Sequence, residues 1–223
     1  KNKTIGNINV IISSFGFATV TIDGYAYLEN QGDHSGVTIT FERTAPSALS
    51  ETLITPASGY FSVQLEDGIY EITYTKDDFF PESLSDIAIY SNTTLSNLTL
   101  LERTTLIHVP SLFSTIEEAA ERAFEGDTIL IAEGQHNLNS QISITKNYVT
   151  IASNYIFSND YDDVKNTIIH GNNSRGISID GPDNIHISGL TIKNCHDGAI
   201  FFRFSNYNTI SHCILTENTG ERA

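Results

Sequence analysis

The chain has 223 residues, with 12 Lys and Arg against 27 Asp and Glu, which gives a formal net charge of −15. A surface this acidic repels phosphate backbones and anionic membranes, so nucleic-acid binding is not expected. The two cysteines lack the paired spacing of a zinc site, and no stretch approaches the roughly 18 apolar residues that a membrane-spanning helix requires, so membrane insertion is not expected either.

Residues 1–16 contain one short alternating stretch at residues 8–12. Two interpretations stay open: a leader to the next module, or the tail of a preceding one. The chain contains no Met, and it stops at Ala223 directly after a repeat, with no polar cap. Solenoids need capped ends to stay soluble, so we expect a piece of a longer chain with further domains.

Residues 17–101 alternate apolar and polar side chains over short stretches, as β-strands do. The clearest local pattern is residues 59–74, where two alternating stretches flank Asp67-Gly68 and predict a hairpin with an Asp-Gly turn. Residues 43–57 are expected to form a loop around a short extended piece. Six or seven short strands at this spacing predict a small antiparallel β-sandwich.

Several of these stretches follow an order found in one family. They are Gly24-Tyr25-Ala26-Tyr27-Leu28, His34-Ser35-Gly36-Val37-Thr38-Ile39, Ser58-Gly59-Tyr60-Phe61-Ser62, Leu65-Glu66-Asp67-Gly68-Ile69-Tyr70 and Lys76-Asp77-Asp78-Phe79-Phe80-Pro81. The segment 17–101 resembles the carboxypeptidase regulatory-like domain, a transthyretin-like sandwich used as a spacer or adhesion module in secreted bacterial proteins. It departs from the family at Asp78-Phe79, where a Gly-Tyr turn is usual. The resemblance implies a non-enzymatic role.

A helix is predicted over residues 114–125. Ser114 and Glu117 have the spacing of a capping box, and Gly126 is expected to end the helix. The apolar face consists of Ile116, Ala119, Ala120, Ala123 and Phe124. We expect this helix to cover the exposed edge of the structure that follows it, beginning with a buried strand at residues 127–132.

From Gly176 onward the pattern recurs with a period of 22 or 23 residues. The matching pairs are Gly176 and Gly198, Ile187 and Ile210, Leu190 and Cys213, and Ile192 and Leu215. This period predicts a β-solenoid, in which each turn buries its inward aliphatic side chains against the next, at roughly 1.5–3 kcal/mol for each side chain. Cys213 falls on an inward position and Cys195 at a corner, so a disulfide between them is not expected.

The second half of the chain carries a second resemblance. Its residues are Val109-Pro110-Ser111, Ser114-Thr115-Ile116-Glu117-Glu118-Ala119, Gly126-Asp127-Thr128-Ile129-Leu130-Ile131, Glu133-Gly134 and Thr167-Ile168-Ile169-His170-Gly171-Asn172. Residues 102–223 resemble the start of a right-handed parallel β-helix of the pectate-lyase-like superfamily. The predicted fold is therefore all-β: a small antiparallel β-sandwich, then a truncated, N-terminally helix-capped right-handed parallel β-helix. That superfamily contains lyases, hydrolases, epimerases and surface proteins, so the resemblance predicts no single activity.

Polysaccharide cleavage on this fold needs clustered carboxylates for Ca²⁺ and a basic residue to abstract a proton. The outward candidates are Asp180, Asp183, Asp197, Lys193 and Arg203. The acids adjoin Gly or Pro, where solvated turn residues are the simpler interpretation. Of the motifs of the fold's hydrolases only His170-Gly171 is present, so no catalytic residue is assigned.

A calcium site is the one metal site considered further. Four hard-oxygen ligands occur within five residues: Asn159, Asp160, Asp162 and Asp163. Their spacing is irregular, and a solvated loop over residues 154–166 is the alternative. Copper or zinc binding by the histidines is not expected, because His186 lies opposite Thr209 in the repeat and does not stack on His212. No other cofactor is expected.

A glycan-contacting strip is the remaining candidate. Alternation places Phe202 and Phe204 on one side of a strand and Phe201 on the other, so two rings would form an exposed platform. The candidate ligand-binding residues are Phe202, Phe204, Arg203 and Asp197.

Two functions follow from these patterns. The first is a non-catalytic pair of modules in a secreted bacterial cell-surface protein, giving a rigid spacer and an adhesion or glycan-contacting scaffold. The second is a fragment of a polysaccharide lyase or hydrolase whose active groove lies on later turns. Both predict an extracellular or cell-surface location and a polysaccharide or cell-surface glycan as the partner.

Overall fold

The computed structural model describes residues 17–220. The chain divides into two compact units, with the boundary between Arg103 and Thr104. The sequence predicts the boundary two residues earlier, after Leu101. In both units β-strands are the main regular secondary structure.

The first unit is a β-sandwich. Its strands are β1 (Thr19–Leu28), β2 (Thr38–Ala45), β3 (Leu49–Ile54), β4 (Tyr60–Glu66), β5 (Gly68–Thr75), β6 (Glu82–Ile89), β7 (Thr93–Thr94) and β8 (Leu98–Leu100). One sheet has the antiparallel order β3-β2-β5-β6. In the other, β4 lies antiparallel to β1, whereas β7 and β8 pair with β1 in parallel. The expectation of a purely antiparallel sandwich is therefore wrong at this edge.

The two sheets share one apolar core. Along β1 the side chains of Val20, Ile22, Ala26 and Leu28 are buried, while the alternate residues are partly or largely exposed, because successive residues of a strand face opposite sides. Across the sandwich the rings of Phe41 on β2 and Phe61 on β4 lie 6.2 Å apart. The short extended piece expected within residues 43–57 is strand β3, which pairs with β2 and extends the sheet.

The predicted Asp67-Gly68 hairpin is wrong. Strand β4 pairs with β1, and β5 pairs with β2 and β6, so the link at Asp67 crosses from one sheet to the other. Neither Asp67 nor Gly68 has the positive φ that a tight hairpin turn requires. Glycine is needed for space: a Cβ on Gly68 would lie 2.5 Å from Cδ of Arg43 and 2.6 Å from the Ala45 carbonyl oxygen.

The second unit contains three short helices and twelve strands within its described residues. The helices are α1 (Ile116–Arg122), α2 (Tyr155–Ser158) and α3 (Tyr161–Asn166). The strands are β9 (Leu106–Val109), β10 (Thr128–Ile131), β11 (Gly134–Asn137), β12 (Ile142–Ile144), β13 (Thr150–Ser153), β14 (Thr167–His170), β15 (Ile177–Asp180), β16 (His186–Ser188), β17 (Thr191–Lys193), β18 (Ile200–Arg203), β19 (Thr209–Ser211) and β20 (Ile214–Thr216).

These strands form three parallel sheets. The first has the order β9-β10-β13-β16-β19, the second β11-β14-β17-β20 and the third β12-β15-β18. From β10 onward the chain visits the three sheets in turn, and each new pass adds one strand to each sheet. We call one such pass a layer. Because every pairing is parallel, equivalent residues of successive layers lie side by side.

The layers stack their aliphatic side chains in columns. In the first sheet Ile107, Ile129, Ile151, Ile187 and Ile210 are successive partners. The pairing of Ile187 with Ile210 and of Ile192 with Leu215 confirms the 23-residue spacing. Gly176 donates its N–H to the Gly198 carbonyl oxygen at 3.1 Å. A Cβ on Gly176 would collide with the Ala199 carbonyl oxygen, so the next layer can approach only a glycine there.

Helix α1 is shorter than predicted. Its N-cap is Thr115, whose hydroxyl accepts from the Glu118 N–H at 3.2 Å; Ser114 is not the cap. The helix ends at Arg122, because Ala123 is extended and the Phe124 N–H donates to the Asp127 carboxylate at 2.8 Å. Phe124 is consequently exposed rather than part of the apolar face. The helix packs against β9, β10 and β12.

Candidate functional site

A groove of about 420 Å³ lies along the outer face of the third parallel sheet. Its floor comes from one column of paired residues, Ser143 on β12, Ser178 on β15 and Phe201 on β18. The alternate residues Ile144 and Ile179 point into the buried interior. We call this site, lined also by Gln141, Arg175, Asp180 and Arg203, the outer groove.

One wall of the outer groove is an ion pair between neighbouring layers. Asp180 and Arg203 are cross-strand partners on β15 and β18. The Arg203 Nε–H donates to one Asp180 carboxylate oxygen at 2.9 Å, and its Nη2 donates to the other. This two-point geometry is the one in which guanidinium and carboxylate bind each other best.

The same ion pair shifts the pKa values of both of its groups. The hydrogen bond from Arg203 lowers the pKa of the Asp180 carboxyl below its usual 3.8, and the hydrogen bond to Asp180 raises the pKa of the Arg203 guanidinium. Both shifts favour the charged forms, so the pair is ionised throughout the neutral and mildly acidic range.

The other wall is a second ion pair joined to the ring of Phe201. The Arg175 Nη2 donates to the Asp197 carboxylate, and its Nε–H donates to the Asp197 carbonyl oxygen at 3.3 Å. The Arg175 guanidinium carbon also lies 4.4 Å from the centre of the Phe201 ring, a cation–π arrangement. Arginine thus covers one side of the ring.

The predicted ligand-binding residues are only partly brought together. Arg203 lines the outer groove, and Asp197 holds Arg175 at its rim. Phe202 pairs with Ile179 and points inward. Phe204 follows the end of β18 with a φ of +51° and is 81% exposed. The expected two-ring platform is therefore wrong, because the strand alternation stops before Phe204.

Four residues of the outer groove were missed, Gln141, Ser143, Arg175 and Ser178, and Phe201 was expected on the side away from the platform. The repeat could have found both ion pairs, because Arg175 and Asp197 are separated by 22 residues and Asp180 and Arg203 by 23. Opposite charges one period apart lie on adjacent layers.

The four predicted calcium ligands lie around α2 and α3 rather than in a loop. Asn159 is the left-handed C-cap of α2, and Asp160 caps α3 by accepting from the Asp162 N–H at 3.0 Å. Asp162 accepts from Lys165 at 2.8 Å. Asp163 is buried and accepts from Ser158 and Asn154. Each group thus has a role in local structure, and the calcium site remains a prediction.

Within residues 17–220 no three His, Cys, Asp or Glu side chains are grouped closely enough to hold a metal ion. His186 is paired with Thr209, as the repeat predicts, and its Nε2 lies 3.2 Å from the Ser211 hydroxyl. The His212 ring lies against Tyr155, with 4.7 Å between ring centres.

Cys195 and Cys213 are both free thiols, and the corner residue Cys195 is the more deeply buried of the two. Cys195 is 1% exposed, whereas Cys213 is half-buried. Burial raises the pKa of the Cys195 thiol to about 11 and also raises that of Cys213.

We expect Cys195 of the folded protein to resist alkylation by iodoacetamide at pH 8. A pKa about three units above the solution pH leaves about one thiol in a thousand as thiolate, the reactive form. Mass spectrometry is expected to show modification of both cysteines in urea and little of Cys195 without it. Rapid labelling of Cys195 in the native protein would contradict its burial.

No family model matches this sequence, and no curated protein matches it. Among solved structures, 48% of the chain aligns with 74% of a chain in a type II cohesin–X-dockerin complex from Acetivibrio cellulolyticus, at 17% identity and a TM-score of 0.32. A protein from Bacteroides uniformis to which carbohydrate binding is ascribed aligns over 37% of this chain and 41% of its own, at 13% identity and a TM-score of 0.30. These similarities assign neither a family nor an activity. In the described part of the chain, no helix has both the length and the apolar character of a membrane span.

Proposed function

We propose that this chain is a non-catalytic pair of modules from a secreted, cell-surface protein, and that it contacts glycans through the outer groove. The observation that carries the proposal is the combination in one groove of an aromatic ring, Phe201, with hydroxyl and charged groups fixed in place around it. Sites for polar ligands combine an apolar surface with a few oriented hydrogen-bonding groups in this way.

The proposal includes the architecture of both units. We assign the first unit to the carboxypeptidase regulatory-like type of sandwich, acting as a spacer, and the second to a right-handed parallel β-helix of the pectate-lyase-like type. The three parallel sheets visited in turn and the stacked isoleucines support the second assignment. Helix α1, packed on β9, β10 and β12, then serves as the cap of the first layers.

A binding role fits the outer groove better than catalysis. General acid–base cleavage of a glycosidic bond needs two carboxyl groups that are free to exchange protons. Asp180 and Asp197 are instead each bonded to an arginine. Carboxylates held by arginine in this way can orient a ligand but are poorly placed to exchange protons with it.

A second candidate is the fragment of a lyase or hydrolase whose active groove lies on further turns. It rests on the resemblance of the second unit to a superfamily that contains such enzymes.

The test is binding of the intact chain to a panel of polysaccharides, measured by affinity electrophoresis. Phe201→Ala is expected to weaken binding about two- to tenfold, the worth of one aromatic contact. Phe157→Ala, which removes an exposed phenylalanine on α2, is the matched control and is expected to change nothing. No binding to any glycan would overturn the proposal. Release of unsaturated products from an acidic polysaccharide would favour the enzyme.

A further inference from the structure

The charges of the outer groove cancel in pairs. Its two guanidinium groups, on Arg175 and Arg203, each bind a carboxylate from the adjoining layer, Asp197 and Asp180 respectively. The formal charge of these four groups is zero. The groove therefore contains two arginines, as sites for anions do, but it lacks the positive net charge of such sites.

A negatively charged glycan would meet two costs in this site. Its carboxylate could bind the remaining N–H groups of Arg203 or Arg175 only beside Asp180 or Asp197, which would place two carboxylates close together around one arginine. Like charges at such distances repel each other, most strongly at low salt. The chain as a whole also carries a formal charge of −15, which lowers the rate at which anions approach.

An uncharged sugar meets neither cost. The hydroxyls of Ser143 and Ser178 and the amide of Gln141 line the groove and can exchange hydrogen bonds with sugar hydroxyls. The paired carboxylates keep lone pairs to accept from the same hydroxyls. The face of Phe201 opposite Arg175 can contact the apolar C–H surface of a pyranose ring.

We infer that the outer groove selects an uncharged, hydroxyl-rich glycan and rejects uronate-containing ones. This inference rests on the proposed function, since it names the class of glycan that the same site takes. It also assigns a role to both ion pairs: each positions an arginine while masking its charge.

The first experiment compares the intact chain on two neutral probes, a linear β-glucan and a mannan, with two acidic ones, polygalacturonate and alginate. EDTA is present so that calcium cannot bridge carboxylates. We expect at least about tenfold tighter binding to one neutral probe than to either acidic one.

The second experiment removes the carboxylate that neutralises Arg203. Asp180→Asn leaves the Arg203 guanidinium without its carboxylate and is expected to raise affinity for polygalacturonate about tenfold at low salt, with a smaller change for the neutral probe. Asp162→Asn is the matched control, because it changes the net charge equally and opens an exposed ion pair with Lys165 on α3, away from the groove.

The outcomes are distinct. Binding to acidic probes alone would overturn the inference and leave the proposed function standing, whereas no binding to any probe would overturn both. Equal gains in the Asp180 and Asp162 variants would show that overall charge, and not the groove, excludes anions, and would also overturn the inference.

Discussion

Replacement of Ile151 by Ala is expected to lower the free energy of unfolding of the second unit by about 3–4 kcal/mol. Ile151 is fully buried, and its column partners Ile129 and Ile187 are fully buried as well. Removal of the side chain leaves a cavity with a layer on each side, and parallel pairing prevents either layer from moving to fill it. Urea denaturation followed by far-ultraviolet circular dichroism measures the loss.

The control lies at the end of the same column. Ile210 pairs with Ile187 in register, but its side chain is 44% exposed. Ile210→Ala is therefore expected to cost less than about 1 kcal/mol, since little surface is withdrawn from water and no enclosed cavity forms. Equal losses for Ile151 and Ile210 would contradict the stacking of layers described for this unit.

The second effect is expected in the sandwich, where Glu66→Ala should cost about 1–2 kcal/mol, because Arg43 is buried while the Glu66 side chain is 43% exposed and solvent screens the pair. The Arg43 side chain is 3% exposed, and its Nη1 donates to the Glu66 carboxylate at 2.8 Å. The other acceptors of this guanidinium, among them the Ser47 carbonyl oxygen at 2.8 Å, are neutral. Removal of Glu66 therefore leaves a buried positive charge without a counter-charge.

Two further variants separate this cause from general damage. Glu51→Ala removes an exposed carboxylate from β3 and is expected to change stability by less than about 0.5 kcal/mol. Adding Arg43→Met to Glu66→Ala is expected to recover part of the loss, because the uncompensated charge disappears. If Glu66→Ala leaves the free energy of unfolding unchanged, water reaches Arg43, and the ion pair does not stabilise the link between the two sheets at Asp67.

The periodic part of the fold was predictable because its cause is periodic. Each column needs one inward aliphatic residue from every layer. The spacing between Ile187 and Ile210 in the sequence therefore predicts directly that the two residues pair. The Asp67-Gly68 hairpin was not predictable in the same way. Its local turn chemistry is correct for a hairpin, but the partners of the two strands lie far away in sequence: β4 pairs with β1, and β5 pairs with β2 and β6.

The candidate site was only partly predictable for a related reason. Alternation predicts which side of the sheet a side chain faces only while the strand continues. At Phe204 the backbone is left-handed, so the alternation no longer applies there. The floor of the outer groove belongs to three different layers, so no local motif contains it. The one sign of the outer groove in the sequence is a pair of opposite charges one period apart, as at Asp180 and Arg203.

Because the strands pair in parallel and in whole layers, the length of the second unit can change only by complete layers. An insertion of one complete period adds a rung of about 4.8 Å to each sheet and preserves every existing partnership. Extra residues of another length fit only at a corner between strands, as α2 and α3 do between β13 and β14, where Ile151 still pairs with Ile187. Within a strand, an insertion of one residue would turn buried side chains toward water. Evolution can therefore lengthen the ligand-facing surface in steps, with new outward residues on each rung, while the isoleucine interior stays the same.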